Sequence, residues 1–323
     1  RAPKGLFAAR ISGYKDLFGG FSLDNLIMMA LCFAAGMILR RCGRLPASTP
    51  LVLNSYIINV ALPALTLLHI HDLEYSPGLA FPAMMAWALF AGGFFFFRKA
   101  GKFFSLSAGT MGALFLTGGL GNTSFVGLPM IEAFYGTEHL GVGILIDQLG
   151  SFLTLSTVGI VLAASLSLGK TSPSDIIRKI LAFPPFIALL AAFALTPFPY
   201  PGWVTEVLGR LGDTLPPIAL LSVGFQLRVG RVRDKAGPLA LGLFYKLLLG
   251  PALMALLFIL ALGERGTTIQ VTIFEAASAP MITGSIVASE HGLDPDLSAL
   301  MVGIGVPLSF LTLPCWWWIL ARF

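Results

Sequence analysis

Two stretches of the sequence place glycine and proline beside amide and hydroxyl side chains inside long apolar runs. They are GLGNTSFVGLP, residues 119–129, and FEAASAPMITGS, residues 274–285. Glycine and proline break helices, and backbone groups left unpaired in apolar surroundings are costly unless they face protein, water or a ligand. We therefore predict two helix breaks that form one binding site. The predicted substrate-binding residues are Asn122, Thr123, Ser124, Pro129, Ser278, Pro280, Thr283 and Ser285.

Pro129 and Pro280 each suit the first turn of a half-helix that resumes after the break. The free N–H groups and the positive dipole end of such a turn attract an anion. The alternative is that both prolines only kink packed helices, with small residues allowing close helix contact. Because the breaks recur at matching positions, we favour a binding site for an anion.

Ionisable residues inside apolar runs are expensive to bury unless they are paired or face water, and the candidates are Glu132, Asp147, Asp213, Lys246 and Glu275. Asp147 and Glu275 are the predicted ion-coupling residues. Such a carboxylate can carry a proton, or it can join Asn122 and exposed carbonyls in a sodium site. The sequence therefore leaves two candidate coupling ions, H⁺ and Na⁺. The alternative for each carboxylate is a structural partner. Lys246 either reaches the cytoplasm with its long side chain or supplies the counter-charge of an anionic substrate.

No metal site, cofactor or catalytic centre is predicted. His69, His71, Asp72 and Glu74 resemble a metal cluster, but alternate histidines do not share a helix face. The three cysteines lack the C-x-x-C spacing of metal or redox motifs. An intramembrane hydrolase would need paired aspartates or a Ser-His pair, and neither G-x-G-D nor G-x-S-G occurs in an apolar run. The sequence therefore does not indicate an enzyme.

The composition is that of a protein embedded in a membrane. Of 323 residues, 56% are hydrophobic and 11% are charged, whereas soluble domains carry about a quarter charged residues. A span needs about 20 apolar residues, so the chain holds about ten spans and no separate soluble domain. The net charge of +5 comes from basic clusters between apolar runs, which indicates membrane topology. Membrane lipid is thus an expected partner, and nucleic acid is not.

Basic residues concentrate in the first, third, fifth and seventh loops between the apolar runs. By the positive-inside rule these loops are cytoplasmic, and both termini lie outside. Residues 1–22 carry Phe7, Ile11 and Tyr14 at helical spacing, which predicts an amphipathic segment in the membrane interface. The predicted spans are 23–39, 51–71, 79–97, 108–135, 140–168, 176–195, 205–227, 238–262, 268–290 and 296–320.

Three landmarks recur in the same order in the two halves of the chain. Leu62-Pro63 matches Leu215-Pro216, Pro129-Met130-Ile131 matches Pro280-Met281-Ile282, and Ser151–Leu155 matches Ser309–Leu313. We predict a first five-helix repeat over 23–168 and a second over 169–323, inverted because five is odd. Inverted repeats are typical of secondary transporters, which expose a midplane site to each side in turn. The predicted fold is an all-α integral membrane protein of about ten transmembrane helices with two broken helices.

GNTSFVGLPMIEAFYG, LPALTL and ASEHGLDPDLSALMVGIGVPLSFLTLP resemble the auxin efflux carrier family, and the similarity covers nearly the whole chain. The resemblance implies a scaffold domain, and a transport domain whose crossover helices meet at Pro129 and Pro280. It also implies small organic anions as substrates, and a homodimer. The short joint after the fifth span favours a bacterial or short-loop member in the inner (plasma) membrane. More distantly, the chain resembles bile acid:sodium symporters, which share the crossover arrangement.

We therefore predict a secondary active transporter of small organic anions such as auxin-like acids or dicarboxylates. It works by alternating access with an elevator-like movement, and its substrate lies at the crossover of the fourth and ninth helices. A sodium-coupled symporter of bile-acid-like amphipathic anions is the nearest alternative. A channel or a sensor built on the same fold is a third, because a fold does not fix function.

Overall fold

A computed structural model of the chain describes residues 23–73, 77–167, 172–227 and 232–323. The interfacial segment predicted for 1–22 and the predicted repeat boundary at 168 and 169 lie outside the described residues. The first half contains α1 (Leu23–Arg41), α2 (Thr49–His71), α3 (Ala80–Phe103), α4 (Ala108–Gly118), α5 (123–135) and α6 (Thr137–Leu166). The second half contains α7 (Pro173–Leu181), α8 (Pro184–Leu195), α9 (Gly202–Gly212), α10 (Leu215–Gln226), α11 (Ala236–Ala261), α12 (Thr267–Ala276), α13 (Ile282–Glu290) and α14 (Pro295–Leu320).

Five of these helices, α2, α3, α6, α11 and α14, are long and apolar enough to cross a membrane. The other predicted spans correspond to α1, to α8 together with the end of α7, and to three broken pairs, α4 with α5, α9 with α10, and α12 with α13. The predicted all-α membrane fold is confirmed. The break between α9 and α10 was not predicted. There Pro216 and Pro217 follow Leu215 in the first turn of α10, where the missing N–H groups of proline cost least.

The two halves of the chain present the same order of helices. Each half carries a broken pair as its fourth span, α4 with α5 and α12 with α13. Contacts between the halves are reciprocal, because α1 packs against α10 and α2 packs against α8. In both contacts the first span of one half meets the second span of the other, as an internal twofold relation requires. These features support two inverted repeats over 23–168 and 169–323, which stay a prediction.

Three helices contain a wide π turn that ends directly before a Leu-Pro or Gly-Pro pair. The π turns are Ile57–Ala61, Thr123–Gly127 and Tyr245–Leu249, and the prolines are Pro63, Pro129 and Pro251. A proline ring clashes with the carbonyl four residues earlier and offers no N–H. A π turn shifts those carbonyls out of the α-helical register. Each helix therefore continues through its proline.

The helices form two groups according to their contacts. We call α1, α2, α8, α9 and α10 the scaffold group, in which α2 lies against α8, α9 and α10. We call α3 to α6 together with α11 to α14 the crossover group, in which α3 contacts α6, α11 and α12, and α4 contacts α13 and α14. The two groups meet where α5 and α6 pack against α1, α2, α8 and α10. Both helix breaks at fourth-span positions therefore lie in the crossover group.

Asp294 ties three helices of the crossover group together at the end where α4, α11 and α14 begin. One carboxylate oxygen accepts hydrogen bonds from Lys235 Nζ and Thr110 Oγ1, both at 2.8 Å, and the other caps α14 by accepting the Leu297 N–H. The backbone of Asp294 is left-handed, with φ 44°, which Asp tolerates better than most residues. Burial raises the pKa of this carboxyl, but the hydrogen bonds outweigh burial and hold the pKa below its usual value.

We expect Asp294→Ala to lower the unfolding free energy by about 1–3 kcal/mol, because it removes a cap and the partner of a lysine. The lowered pKa means that the stabilisation is complete above the unfolded-state pKa and is lost as the pH falls below about 4. Thermal unfolding of the purified protein at pH 7 and at about pH 3 measures both effects. Asp296→Ala, an exposed carboxylate in the same helical turn, is the control. Equal melting temperatures for the two variants at pH 7 would contradict the assignment.

Candidate functional site

The two predicted breaks meet and pair with each other in the middle of the crossover group. Gly121 and Pro280 form an antiparallel bridge. Beside it, the Asn122 N–H donates to Ala279 O at 2.8 Å, and the Met281 N–H donates to the Thr117 carbonyl at 3.3 Å. Each unwound segment therefore supplies partners for backbone groups that the other segment has freed from its helix. This pairing keeps irregular backbone tolerable at membrane depth.

The crossing point differs from the prediction that placed it at Pro129 and Pro280. The chain crosses at Gly121 and Pro280, and Pro129 lies beyond the π turn Thr123–Gly127. The π turn accommodates Pro129, so the half-helix begins earlier, at Thr123. Pro280 is not in the first turn of α13 either, because it belongs to the extended bridge and α13 begins at Ile282.

Asp147 on α6 binds the start of α5 through two hydroxyl groups. Thr123 Oγ1 donates to Asp147 Oδ1 at 2.6 Å, and Ser124 Oγ donates to the same oxygen at 2.5 Å. The Asp147 side chain is buried, with 3% of the residue exposed. Hydrogen bonds to a carboxylate stabilise its charged form. The structure thus brings together three predicted residues, and Thr123 and Ser124 face a carboxylate of the protein.

Glu275 on α12 is fully buried, and neither carboxylate oxygen has a hydrogen-bond partner among the described residues. Its carboxylate lies against the backbone of Gly127, where a Cβ atom would overlap both oxygens. Gly143 on α6 lies nearby, since a Cβ there would come 3.9 Å from Glu275 Oε1. The carboxylate is therefore held in a slot between two glycines, next to the turn that binds Asp147.

Lys246 on α11 is fully buried and points at the end of α12. Its Nζ donates to the Ala276 carbonyl at 2.6 Å, so the ammonium group occupies the negative end of the α12 dipole. A Cβ on Gly121 would come 3.3 Å from this Nζ and 2.6 Å from Ser278 Oγ, so only glycine fits there. Lys246 therefore does not reach the cytoplasm in this conformation, and its role as the counter-charge of an anionic substrate stays a prediction.

Two other predicted binding residues lie inside the crossing with polar atoms that have no partner among the described residues. These atoms are Asn122 Nδ2 and Ser278 Oγ, and both residues are at least 97% buried. Orphaned polar atoms at such depth are rare and mark sites where water, an ion or a ligand supplies the missing bond. Asn122 and Ser278 therefore remain predicted binding residues that are shielded in this conformation.

A cavity of about 1040 Å³ separates α13 from α1, α2 and α10. It opens at the end of the membrane where α1 terminates in Arg40 and Arg41, which we call the basic side. Among the described residues, no Asp or Glu side chain lines this cavity. The polar lining residues are Arg40, Ser48, Asn54, Ser55, Asn59, Gln226, Thr283 and Ser289, and Phe125 closes the deep end beside the crossing.

Of the predicted binding residues, Thr283 alone lines this cavity. It lies in the first turn of α13, together with Ile282, where the helix start presents free N–H groups. Ser285 lies further along α13 and accepts the Ser289 hydroxyl with its carbonyl. The predicted set thus divides into residues of the buried crossing, Thr283 at the cavity wall, and Pro129 and Ser285, which lie in α5 and α13 away from both.

The sequence reading missed the residues that the scaffold group contributes to the cavity. Arg40 is one of the basic residues of the first loop that indicate topology, and its Nη1 donates to the Phe225 carbonyl at 2.8 Å, which fixes the guanidinium group beside the cavity. Asn54 and Asn59 lie in an apolar run of the sequence, and amide side chains in such a run indicate a polar site inside the membrane part. The metal-like group is only partly described, since Glu74 lies outside the described residues, and His71 hydrogen-bonds its neighbour Asp72.

Comparison with known proteins agrees with this architecture. Residues 23–317 match the family described as membrane transport protein. The chain belongs to this family. The predicted resemblance to auxin efflux carriers is thereby confirmed.

Two similar members of the family come from archaea. An uncharacterized transporter of Methanothermobacter thermautotrophicus is 28% identical over 302 residues, which cover 91% of this chain and 97% of the relative. An uncharacterized transporter of Methanocaldococcus jannaschii is 22% identical over 307 residues, covering 92% and 98%. The family and these relatives indicate an integral membrane transporter, whereas the bacterial inner membrane, both termini outside and the homodimer stay predictions.

We expect Gly127→Ala to lower the unfolding free energy by about 1–3 kcal/mol, since the new methyl group would overlap the buried Glu275 carboxylate. Gly237→Ala is the matched control, because a Cβ at this helical position meets no atom within 4 Å. Thermal unfolding of both purified variants measures the difference. A Gly127→Ala protein as stable as Gly237→Ala would show that Glu275 does not lie in the slot.

Proposed function

We propose that this protein is a secondary active transporter of small organic anions that couples transport to protons through the Asp147, Lys246 and Glu275 cluster. The crossover group moves against the scaffold group and exposes the crossing to either side of the membrane in turn. The observation that carries the proposal is the cavity that reaches from the basic side to the crossing, with its cationic and polar lining.

The cavity has the chemistry of a site for a carboxylate. Arg40 supplies a positive charge in a planar group that suits carboxylate geometry. Thr283 adds a hydroxyl group at the start of α13, where the dipole favours negative charge. Asn54 and Asn59 add amide groups on the facing wall. Leu51, Ile58 and Phe125 add apolar surface, so an anion with a small apolar body fits the lining.

The buried charges favour a proton as the coupling ion. Asp147, Glu275 and Lys246 are the ionisable residues that are fully or almost fully buried in the described part of the chain. With all three charged, one negative charge is unmatched in surroundings that hold little water. Asp147 accepts two hydrogen bonds and Glu275 accepts none from the described residues, so the proton belongs on Glu275. The ammonium group of Lys246 also binds the Ala276 carbonyl at the end of α12, which would otherwise be open to a sodium ion.

Among the described residues, the contacts of the two broken helices differ between the basic side and the opposite side, which we call the closed side. The half-helix α5 packs against α1 and α10, and α6 packs against α2. On the basic side, the matching half-helix α13 is separated from the scaffold group by the cavity. Two halves of similar backbone in unlike positions are the signature of alternating access by inverted repeats. The opposite state follows if α13 closes on the scaffold group while α5 and α6 withdraw from it.

We expect Arg40→Gln to raise the KM for a transported carboxylate by about tenfold with little change in kcat, because it removes a charge that binds the anion. Arg41→Gln is the matched control, since the adjacent Arg41 is exposed and does not line the cavity. Initial rates of uptake of labelled carboxylates into proteoliposomes give both constants. An equal KM increase in the two variants would indicate a general effect of surface charge and contradict a role for Arg40 in binding.

We expect Glu275→Gln to abolish carboxylate accumulation driven by a pH gradient while exchange of carboxylate across the membrane continues. The glutamine is neutral like the protonated glutamate, so Asp147 and Lys246 then balance without a proton. Glu138→Gln, an exposed carboxylate on the same chain, should leave the coupling intact. Transport in proteoliposomes with a pH gradient and without one measures both activities.

The same proteoliposomes separate the other functions. Accumulation that requires sodium and is lost when potassium replaces it would overturn proton coupling and favour the sodium-coupled alternative. Flux that does not saturate, at rates far above carrier turnover, would indicate a channel. Binding of carboxylates without any flux would indicate a sensor.

A further inference from the structure

A buried hydrogen bond joins the scaffold group to the crossover group on the closed side. Gln148 Nε2 on α6 donates to Thr66 Oγ1 on α2 at 2.7 Å, and both residues are fully buried. By contrast, the bonds from Tyr56 to Thr214 and from Ser222 to Asn54 stay within the scaffold group. The Gln148 bond therefore has to break if the two groups move apart.

The orientation of this bond is fixed by its surroundings. Thr66 Oγ1 donates its own hydrogen to the Leu62 carbonyl at 2.7 Å, so it can only accept from Gln148. The other amide atom, Gln148 Oε1, is buried without a partner among the described residues. Loss of the Thr66 hydroxyl would leave the amide nitrogen unpaired as well, and buried unpaired donors are costly. The bond therefore favours the conformation in which α6 lies on α2.

Gln148 follows Asp147 directly in the π turn Ile146–Phe152. Consecutive residues of a helix point in different directions, and here Asp147 faces the crossing while Gln148 faces the scaffold group. A change at the Asp147 carboxylate that shifts this turn also shifts the Gln148 amide. The two side chains thus link the crossing to the interface between the groups through one peptide unit.

The second half of the chain has no such pair at the corresponding positions. The Leu-Pro landmarks place Ala219 opposite Thr66 in the repeat, and the Ser-Phe-Leu-Thr-Leu landmarks place Val306 opposite Gln148. An alanine and a valine form no hydrogen bond when α14 approaches α10. The polar contact therefore belongs to one of the two transport states.

We propose that Gln148 is a positioning residue whose hydrogen bond to Thr66 holds the closed side shut while the cavity is open to the basic side. This latch releases when the crossover group moves. The inference rests on the proposed transport function, because it assumes that the two groups separate during a cycle.

The test measures opening of the α2–α6 interface without substrate. Leu145 lies between Gly141 and Gln148 on the face of α6 that contacts α2, and it is buried. In a protein whose native cysteines are replaced, a Leu145→Cys reporter reacts with a methanethiosulfonate reagent only when this interface opens. We expect Thr66→Val to raise the reaction rate about tenfold, in line with the loss of a buried hydrogen bond. Thr66→Ser, which keeps the hydroxyl group, should restore the original rate.

Thr272→Val is the matched control for removing a buried threonine hydroxyl. Thr272 is fully buried in α12 and donates only to the Thr268 carbonyl of its own helix, so the reporter rate should not change. Melting temperatures show whether Thr66→Val is folded, and the double variant Thr66→Val with Gln148→Met removes both polar groups if it is not. Reporter rates that stay within about twofold of the parent in both latch variants would overturn the proposal. Absence of carboxylate flux in the parent protein, with reporter rates that still respond, would instead refute transport and leave the latch in place.

Discussion

The pairing of two unwound segments in the middle of the crossover group is the constraint on which the rest of the structure depends. Backbone N–H and C=O groups at membrane depth have no water to bind, so a helix can break there only if another segment supplies partners. The Asn122 N–H and the Ala279 carbonyl meet this need for each other, as do the Met281 N–H and the Thr117 carbonyl. Each break therefore requires the other, and both halves must bring theirs to the same depth.

The same crossing determines where charges lie. Because of the crossing, α12 ends in the interior of the protein. The Lys246 ammonium group binds the carbonyl at that negative end of the helix dipole. The crossing also starts α5 in the interior, where Thr123 and Ser124 bind Asp147 and Gly127 leaves room for Glu275. Buried charges are costly singly and tolerable in groups. A broken helix pair thus creates an interior in which three ionisable side chains can be held.

Much of this arrangement was predictable because glycine and proline act locally. The two breaks, the apolar runs and the buried Asp147, Lys246 and Glu275 all followed from residue types and spacing. The position of Pro129 did not, because a π turn absorbs its effect and moves the helix start to Thr123. Arg40 was also missed as a cavity residue, since its neighbour Phe225 is distant in sequence and becomes close only through the packing of α1 on α10.

Two repeats with similar backbones need not give two states of equal energy. On the proposed mechanism, the symmetry of the two predicted repeats makes both states possible, because each half can adopt the position of the other. The side chains differ, since the landmarks set Gly305 against Asp147 and Val306 against Gln148. Gly305 has no carboxylate, and it packs closely on the ring of Pro280. Asp147 and the polar contact with the scaffold group therefore belong to the first repeat, whereas Lys246 and Glu275, the other members of the buried cluster, belong to the second. On the proposed mechanism, the charge state of this shared cluster and the Gln148 bond of the first repeat can bias which side of the membrane is open, while both repeats contribute helices to the wall of the cavity.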